Sequence, residues 1–260
     1  MKTTKTTHGG GRGASSGDRA WSAAPCVCGN AAPRPAKLPE FDKHHTPHDL
    51  PFKKDWLGYA AVIASLIVAF AIWIGYMAAD HALYDNWQIY LAKIGSHGSV
   101  MLMSWAILLA TRLSPFENLF MGLDKLYKAH RRIGVWSFLI IFLHPVFLAI
   151  AWNDSLPDIL RFFWFSDNVV RNTGIAALLG FILLVVLTVA VKMAYHNWKR
   201  SHDFFGLLLL LVAVHLILAE GEIMQYTWLR IWYFSWIGAA LLGYIYIRLL
   251  YRCTNTRLHE

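Results

Sequence analysis

Six long apolar runs constrain this chain more than any other feature. They lie at about Trp56–Ala79, Ile94–Thr111, Ile133–Trp152, Thr173–Val191, Phe204–Ala219 and Leu229–Ile247. A helix needs about 20 predominantly apolar residues to cross the hydrocarbon layer of a bilayer. Inside that layer every backbone amide must find its partner within its own segment, which favours helices. The runs lack the alternation of a membrane barrel strand. The sequence therefore predicts an all-α membrane protein with a six-helix transmembrane bundle at 51–250. It predicts a disordered basic cytoplasmic tail at 1–50, rich in Gly, Ser, Thr, Pro and charge, and a short cytoplasmic tail at 251–260.

The formal net charge is +8. Its distribution argues against nucleic acid. With a cytoplasmic N-terminus, the inner segments hold 20 of the Lys and Arg residues and the outer loops hold 4: Lys93, Arg161, Arg171 and Arg230. Setting aside the N-terminal segment, the bias is still 11 to 4. Such a bias sets membrane orientation, with both termini in the cytoplasm, and it suits lipid contact. The expected location is a bacterial inner (plasma) membrane, in a multi-pass arrangement.

Of the three cysteines, Cys26 and Cys28 lie in the polar tail and Cys253 near the other end. No CxxCH is present for covalent heme attachment. Three thiols are too few for a four-cysteine iron–sulfur cluster. His44, His45 and His48 read as part of a solvated tail. The outer connection contains Phe162, Phe163, Trp164 and Phe165, which suit an interfacial segment.

Four of the 12 histidines form a pattern. His130 and His144 lie 14 residues apart on the third run, and His202 and His215 lie 13 apart at the fifth. At about 1.5 Å rise per residue, these separations are about 21 and 20 Å. The third and fifth runs point the same way through the membrane. His130 and His202 therefore share an inner level, and His144 and His215 share an outer one. Intramembrane ionisable side chains are costly and usually functional, and neutral imidazole is a good axial ligand for heme iron. A lone histidine here would read as a hydrogen-bonded core residue. Two matched pairs on co-directional helices point instead to two stacked b-type hemes, each held by two histidines.

Rotation supports one pair better than the other. At about 100° per residue, 14 residues return within about 40° of the starting face, whereas 13 miss by about 140°. A kink, bulge or frayed turn is therefore expected near His202. Gly134 and Gly206 each follow an inner ligand by four residues and are candidates for clearance around a macrocycle. Pro145 should disturb the helix beside His144. Arg131 and Arg200, together with Arg132 and Lys199, are candidates for the propionates of the inner heme, and Arg171 for those of the outer one. His97 is expected at the start of the second helix, either capping it or facing an outer ligand.

The segments LSPFENLFMGLDKLYKAHRRIGVWSFLIIFLHP (113–145) and WKRSHDFFGLLLLLVAVH (198–215) resemble the ferric reductase-like transmembrane domain superfamily, which includes ferric reductases and NADPH oxidases. The resemblance covers about 56–250. It implies that electrons pass from NAD(P)H through FAD to the inner heme at His130 and His202. They would then reach the outer heme at His144 and His215, and an acceptor outside such as a ferric chelate or oxygen. Most such reductases continue into flavin and nicotinamide domains that this chain lacks. The resemblance therefore implies either a longer protein or a cytoplasmic flavoprotein as donor. The alternative is a heme subunit serving a periplasmic partner such as methionine sulfoxide reductase. A proton or metal transporter would need mid-helix carboxylates, and none of the six runs contains one.

Overall fold

The computed structural model describes residues 56–80 and 84–250. The tail cysteines, the tail histidines, His81 and the disordered segment expected at 1–50 lie outside the described residues. All regular structure among the described residues is helical. In chain order it comprises α1 (Leu57–Ala79), α2 (Trp87–Ala110), the short α3 (Ser114–Leu119), α4 (Leu123–Ile141) and α5 (Leu143–Trp152). Then come α6 (Leu156–Phe162), α7 (Val169–Val189), α8 (Tyr195–Asp203), α9 (Phe205–Ala219), the single turn α10 (Glu222–Gln225) and α11 (Thr227–Ile245). A π-helical turn, Tyr246–Leu250, follows.

Helices fall on all six apolar runs. Among the described residues, four helical stretches are long and apolar enough to span a membrane: Leu57–Ala79, Leu123–Trp152, Val169–Val189 and Tyr195–Ala219. The protein is accordingly an integral membrane protein. Lipid-type side chains point outward from these stretches, including Ile63, Ile67, Leu139, Leu183 and Leu207.

Helix α2 has the opposite character. From Gly95 to Leu109 nearly every residue is buried within the protein. A helix wrapped by others can carry polar groups, provided they are bonded internally. Ser99 Oγ donates to the Ser137 carbonyl of α4 at 3.0 Å, and Ser137 Oγ donates back to the Ser99 carbonyl at 3.0 Å. At Gly95, a Cβ would lie 2.6 Å from the backbone nitrogen of His144. Glycine there lets α2 and α5 meet backbone to backbone.

Several helices start earlier than the apolar runs suggest. Helix α2 begins at Trp87 rather than Ile94, so His97 lies well inside it and caps nothing. Helix α4 begins at Leu123 and α8 at Tyr195. Hydropathy marks only where a helix is apolar. Charged residues with good helix propensity, such as Lys125, Lys128 and Arg200, carry the helix beyond that window.

Two breaks fall beside the histidines. The third stretch is interrupted at Phe142, between α4 and α5. Pro145 has no N–H to give to the Ile141 carbonyl, which weakens the helix at that point. The fifth stretch is interrupted at Phe204, whose N–H bonds back only three residues to the Ser201 carbonyl at 3.1 Å. A tighter turn winds more per residue than an α-helix. It therefore adds rotation between His202 and His215 in the direction that their 13-residue spacing lacks.

Candidate functional site

The four histidines share one bonding pattern. His130 Nδ1 lies 2.8 Å from the Ala106 carbonyl oxygen, and His144 Nδ1 lies 3.2 Å from that of Ala92. A carbonyl only accepts, so each Nδ1 carries the proton and donates it. His202 Nδ1 is 3.3 Å from Thr188 Oγ1, and His215 Nδ1 is 3.1 Å from Thr173 Oγ1. Both threonine hydroxyls give their own proton to a helix carbonyl, Thr188 to Leu184 at 2.7 Å and Thr173 to Val170 at 2.8 Å. They can therefore only accept from the histidines. All four imidazoles are held as the Nδ1–H tautomer, with the lone pair on Nε2. This is the outer-shell arrangement that orients metal-ligating histidine.

Two helices supply the anchors. Ala92 and Ala106 lie on α2, 14 residues apart, matching His130 and His144 on the antiparallel α4–α5 stretch. Thr173 and Thr188 lie near opposite ends of α7, which runs against α8–α9. The apolar pattern gave no reason to single out these four residues. The equal spacing of the two alanines and the two histidines is legible only once the helix pairing is known.

The structure brings the predicted pairs together at two levels. The ring centres of His130 and His202 lie 5.8 Å apart, with planes at 71°. Metal–imidazole bonds are about 2 Å long, so two rings on opposite sides of one metal ion have centres about 6 Å apart. The His202 ring stacks on Trp198 at 5.2 Å and meets Phe205 in a T-shaped contact at 5.0 Å.

At the other level, His144 and His215 line one cavity of about 780 Å³. This is within the range of small-molecule and cofactor sites. Its walls include Phe181, Leu178, Phe162 and Phe163. Gly174 lies against the His215 ring, where a Cβ would come within 2.8 Å of Cε1 and 3.2 Å of Nε2. Arg171 also lines the cavity, and its Nε is buried with no hydrogen-bond partner among the described residues. An apolar slot, two lone-pair imidazole nitrogens and an unsatisfied guanidinium fit a heme with an anionic propionate edge.

The other predicted residues are placed as follows. Arg131 and Arg200 are exposed next to their histidines. Gly134 faces open space. Gly206 makes room for the Tyr244 ring, whose atoms would lie 2.5–2.6 Å from a Cβ there. Phe162 and Phe163 face the cavity, while Trp164 and Phe165 are exposed.

A further polar cluster occupies the same cavity wall. Glu222, only 6% exposed, accepts from Trp73 Nε1 at 2.7 Å through Oε2. Lys93 Nζ lies 3.6 Å from its Oε1, and His97 Nε2 lies 3.6 Å from its Oε2. Burial pushes the Glu222 carboxyl up to about 7, against the Trp73 hydrogen bond, which lowers it. Sequence reading missed Glu222 because it falls in a one-turn connection between apolar runs.

Residues 95–214 match the family described as ferric reductase like transmembrane component, a segment that holds His130, His144 and His202 and stops one residue before His215. That segment is therefore similar to a ferric reductase-like transmembrane component. It is also similar to the magnetosome protein MamZ of Magnetospirillum gryphiswaldense, with 25% identity over 209 residues. That alignment covers 73% of this chain and 31% of MamZ, so the chain spans about a third of that relative's length.

Proposed function

We propose that this chain carries electrons across a membrane through two b-type hemes. The observation that supports this most is the shared state of the four histidines, each with Nδ1 anchored and Nε2 left as a lone-pair donor. His130 and His202 hold one heme and His144 and His215 the other. When bound there, the hemes would supply one-electron chemistry.

The chain's own residues do the rest. Ala92, Ala106, Thr173 and Thr188 fix each ring's tautomer and direction. Gly174 leaves space at His215, and Arg171 answers the negative edge of the cofactor. Gly134, Arg131 and Arg200 serve the other level. The apolar walls, Phe181 and Leu178 among them, exclude water. The chain crosses the membrane six times, with both termini in the cytoplasm of a bacterial cell. Electrons enter from a cytoplasmic flavin donor fed by NAD(P)H and leave on the His144–His215 side to a ferric chelate or oxygen. The alternative, delivery to a periplasmic protein such as methionine sulfoxide reductase, shares every step up to that level. Which acceptor reoxidises the reduced protein separates the two.

The test is a heme assay with reduced-minus-oxidised spectra on the purified chain. A b-type spectrum with about two hemes per chain is expected, one for each histidine pair. His144→Ala or His215→Ala should remove one heme and stop transfer to outside acceptors. Two low-spin hemes surviving in either variant would overturn the ligand assignment.

A further inference from the structure

The Glu222 cluster supplies none of the four iron ligands proposed above, yet its bonding is incomplete. Tyr233 Oη gives its proton to the His97 carbonyl at 3.2 Å, so at 3.0 Å it can only accept from His97 Nδ1. His97 Nε2 is then a lone pair, and it faces Glu222 Oε2 at 3.6 Å. Two acceptors facing each other in a buried site repel, unless one of them carries a proton. The second carboxyl oxygen, Oε1, is buried with Lys93 Nζ 3.6 Å away and no hydrogen-bond partner among the described residues. The gap between His97 Nε2 and Glu222 Oε2 is where one proton would join the two acceptors.

The same cluster sits beside the His144 level. His144 donates to the Ala92 carbonyl, Lys93 is the next residue, and His97 is one turn further along α2. Lys93, His97, Glu222, His144 and His215 all line one cavity. Charge added at that level acts on Glu222 through a low-dielectric interior, where electrostatic effects are strong. The route to water is short: α10 is a single turn, and Glu220, two residues earlier, is exposed.

We propose that Glu222 is a redox-linked proton acceptor, taking one proton from the outer aqueous phase for each electron that reaches the His144–His215 level. This inference rests on the heme reading above. The electron comes from the reduced flavin donor on the opposite side. The proton comes from bulk water or buffer, and the carboxylate becomes a neutral carboxylic acid whose proton occupies the gap to His97 Nε2. When the electron passes to the acceptor, the proton leaves again. No covalent bond of the protein backbone or cofactor changes. The groups facing Glu222 are Trp73 from α1, Lys93 and His97 from α2, and Tyr226 at the N-terminal edge of α11, while Tyr233 of α11 bonds to His97. Arg171 of α7 lines the shared cavity. Asp80, beyond α1, lies with Glu222 near Tyr226. A carboxyl poised at about 7 can be tipped by one added charge.

The experiment is a spectroelectrochemical titration of the heme-loaded full chain across about pH 5 to 9, two units either side of the Glu222 value. The heme lost in His144→Ala should show a pH-dependent potential. The limit is a tenfold change in its reduction equilibrium per pH unit, or 59 mV for one electron. The other heme should not respond. Glu222→Gln should flatten the dependence, and Glu222→Asp should keep it. Trp73→Phe removes the hydrogen bond that favours the ionised form, so it should move the upper bend to higher pH. It also serves if Glu222→Gln fails to fold. Reduction in weakly buffered solution with a pH indicator should show uptake of about one proton in the wild type near neutral pH, and none in Glu222→Gln. A folded Glu222→Gln that keeps both the slope and the proton uptake overturns the proposal. So does a Trp73→Phe that leaves the bend in place. A wild type that binds two hemes without pH dependence overturns this inference alone, whereas a chain that binds no heme overturns the function proposed above.

Discussion

Replacing Thr173 with valine would remove a single oxygen at nearly constant side-chain volume, and its effect can be worked out from the site. The hydroxyl accepts from His215 Nδ1 at 3.1 Å, and the Val170 carbonyl also bonds to that ring. Valine would remove the threonine acceptor and leave that half-buried N–H to the Val170 carbonyl alone, a loss of up to about 1–3 kcal/mol. Loss of outer-shell partners to metal-bound histidine typically weakens metal binding about 10- to 100-fold, or about 1.4–2.8 kcal/mol. The two ranges agree, because both measure how firmly the Nδ1–H tautomer is held. The intrahelical bond from Thr173 to Val170 is also lost, but that carbonyl already takes part in the α7 ladder. The assay is titration of the heme-stripped protein with hemin, followed by absorbance. Thr173→Val should weaken one of two binding steps about 10- to 100-fold, and Thr173→Ser should restore it. Thr188→Val should weaken the other step, because Thr188 serves His202. If Thr173→Val and Thr188→Val both bound two hemes with wild-type affinity, the threonines would be packing residues and the tautomer reasoning would fail.

Two further outcomes follow from the structure. Gly174→Ala would bring a Cβ to 2.8 Å from His215 Cε1, so the ring must move and the purified variant should lose one heme. Gly180→Ala meets only the tip of Leu208 at 3.2 Å and should keep both, so equal heme content in the two variants would contradict the placement of Gly174. Glu222 also makes stability depend on pH. Its carboxyl is raised from 4.5 to about 7 in the folded state, so between these values the folded protein binds more protons than the unfolded chain. Unfolding free energy should therefore fall as pH rises through that window and level off above about 7. Thermal denaturation in detergent should show this decline in the wild type and a shallower one in Glu222→Gln, with equal slopes counting against a raised carboxyl.

The sequence by itself determined the membrane class and the histidine levels, because both are one-dimensional properties. Hydropathy is summed along the chain, and depth in a helix is residue count multiplied by rise. His130 with His202 and His144 with His215 could therefore be paired from spacing and direction alone, and Pro145 announced the nearby break. Which side chains complete the site was decided only by tertiary structure. The Ala92 and Ala106 carbonyls carry no sequence signal, since every residue has one. Thr173 and Thr188 look like ordinary helix threonines until α7 packs against α8–α9. Gly206, one turn from His202, turned out to make room for Tyr244, whereas Gly174, far from any histidine in sequence, lies against the His215 ring. Glu222 and His97 are 125 residues apart and meet only because α10 folds over the end of α2. Helix register can be counted, but contacts between helices depend on rotation and crossing, and those are fixed by packing many residues away.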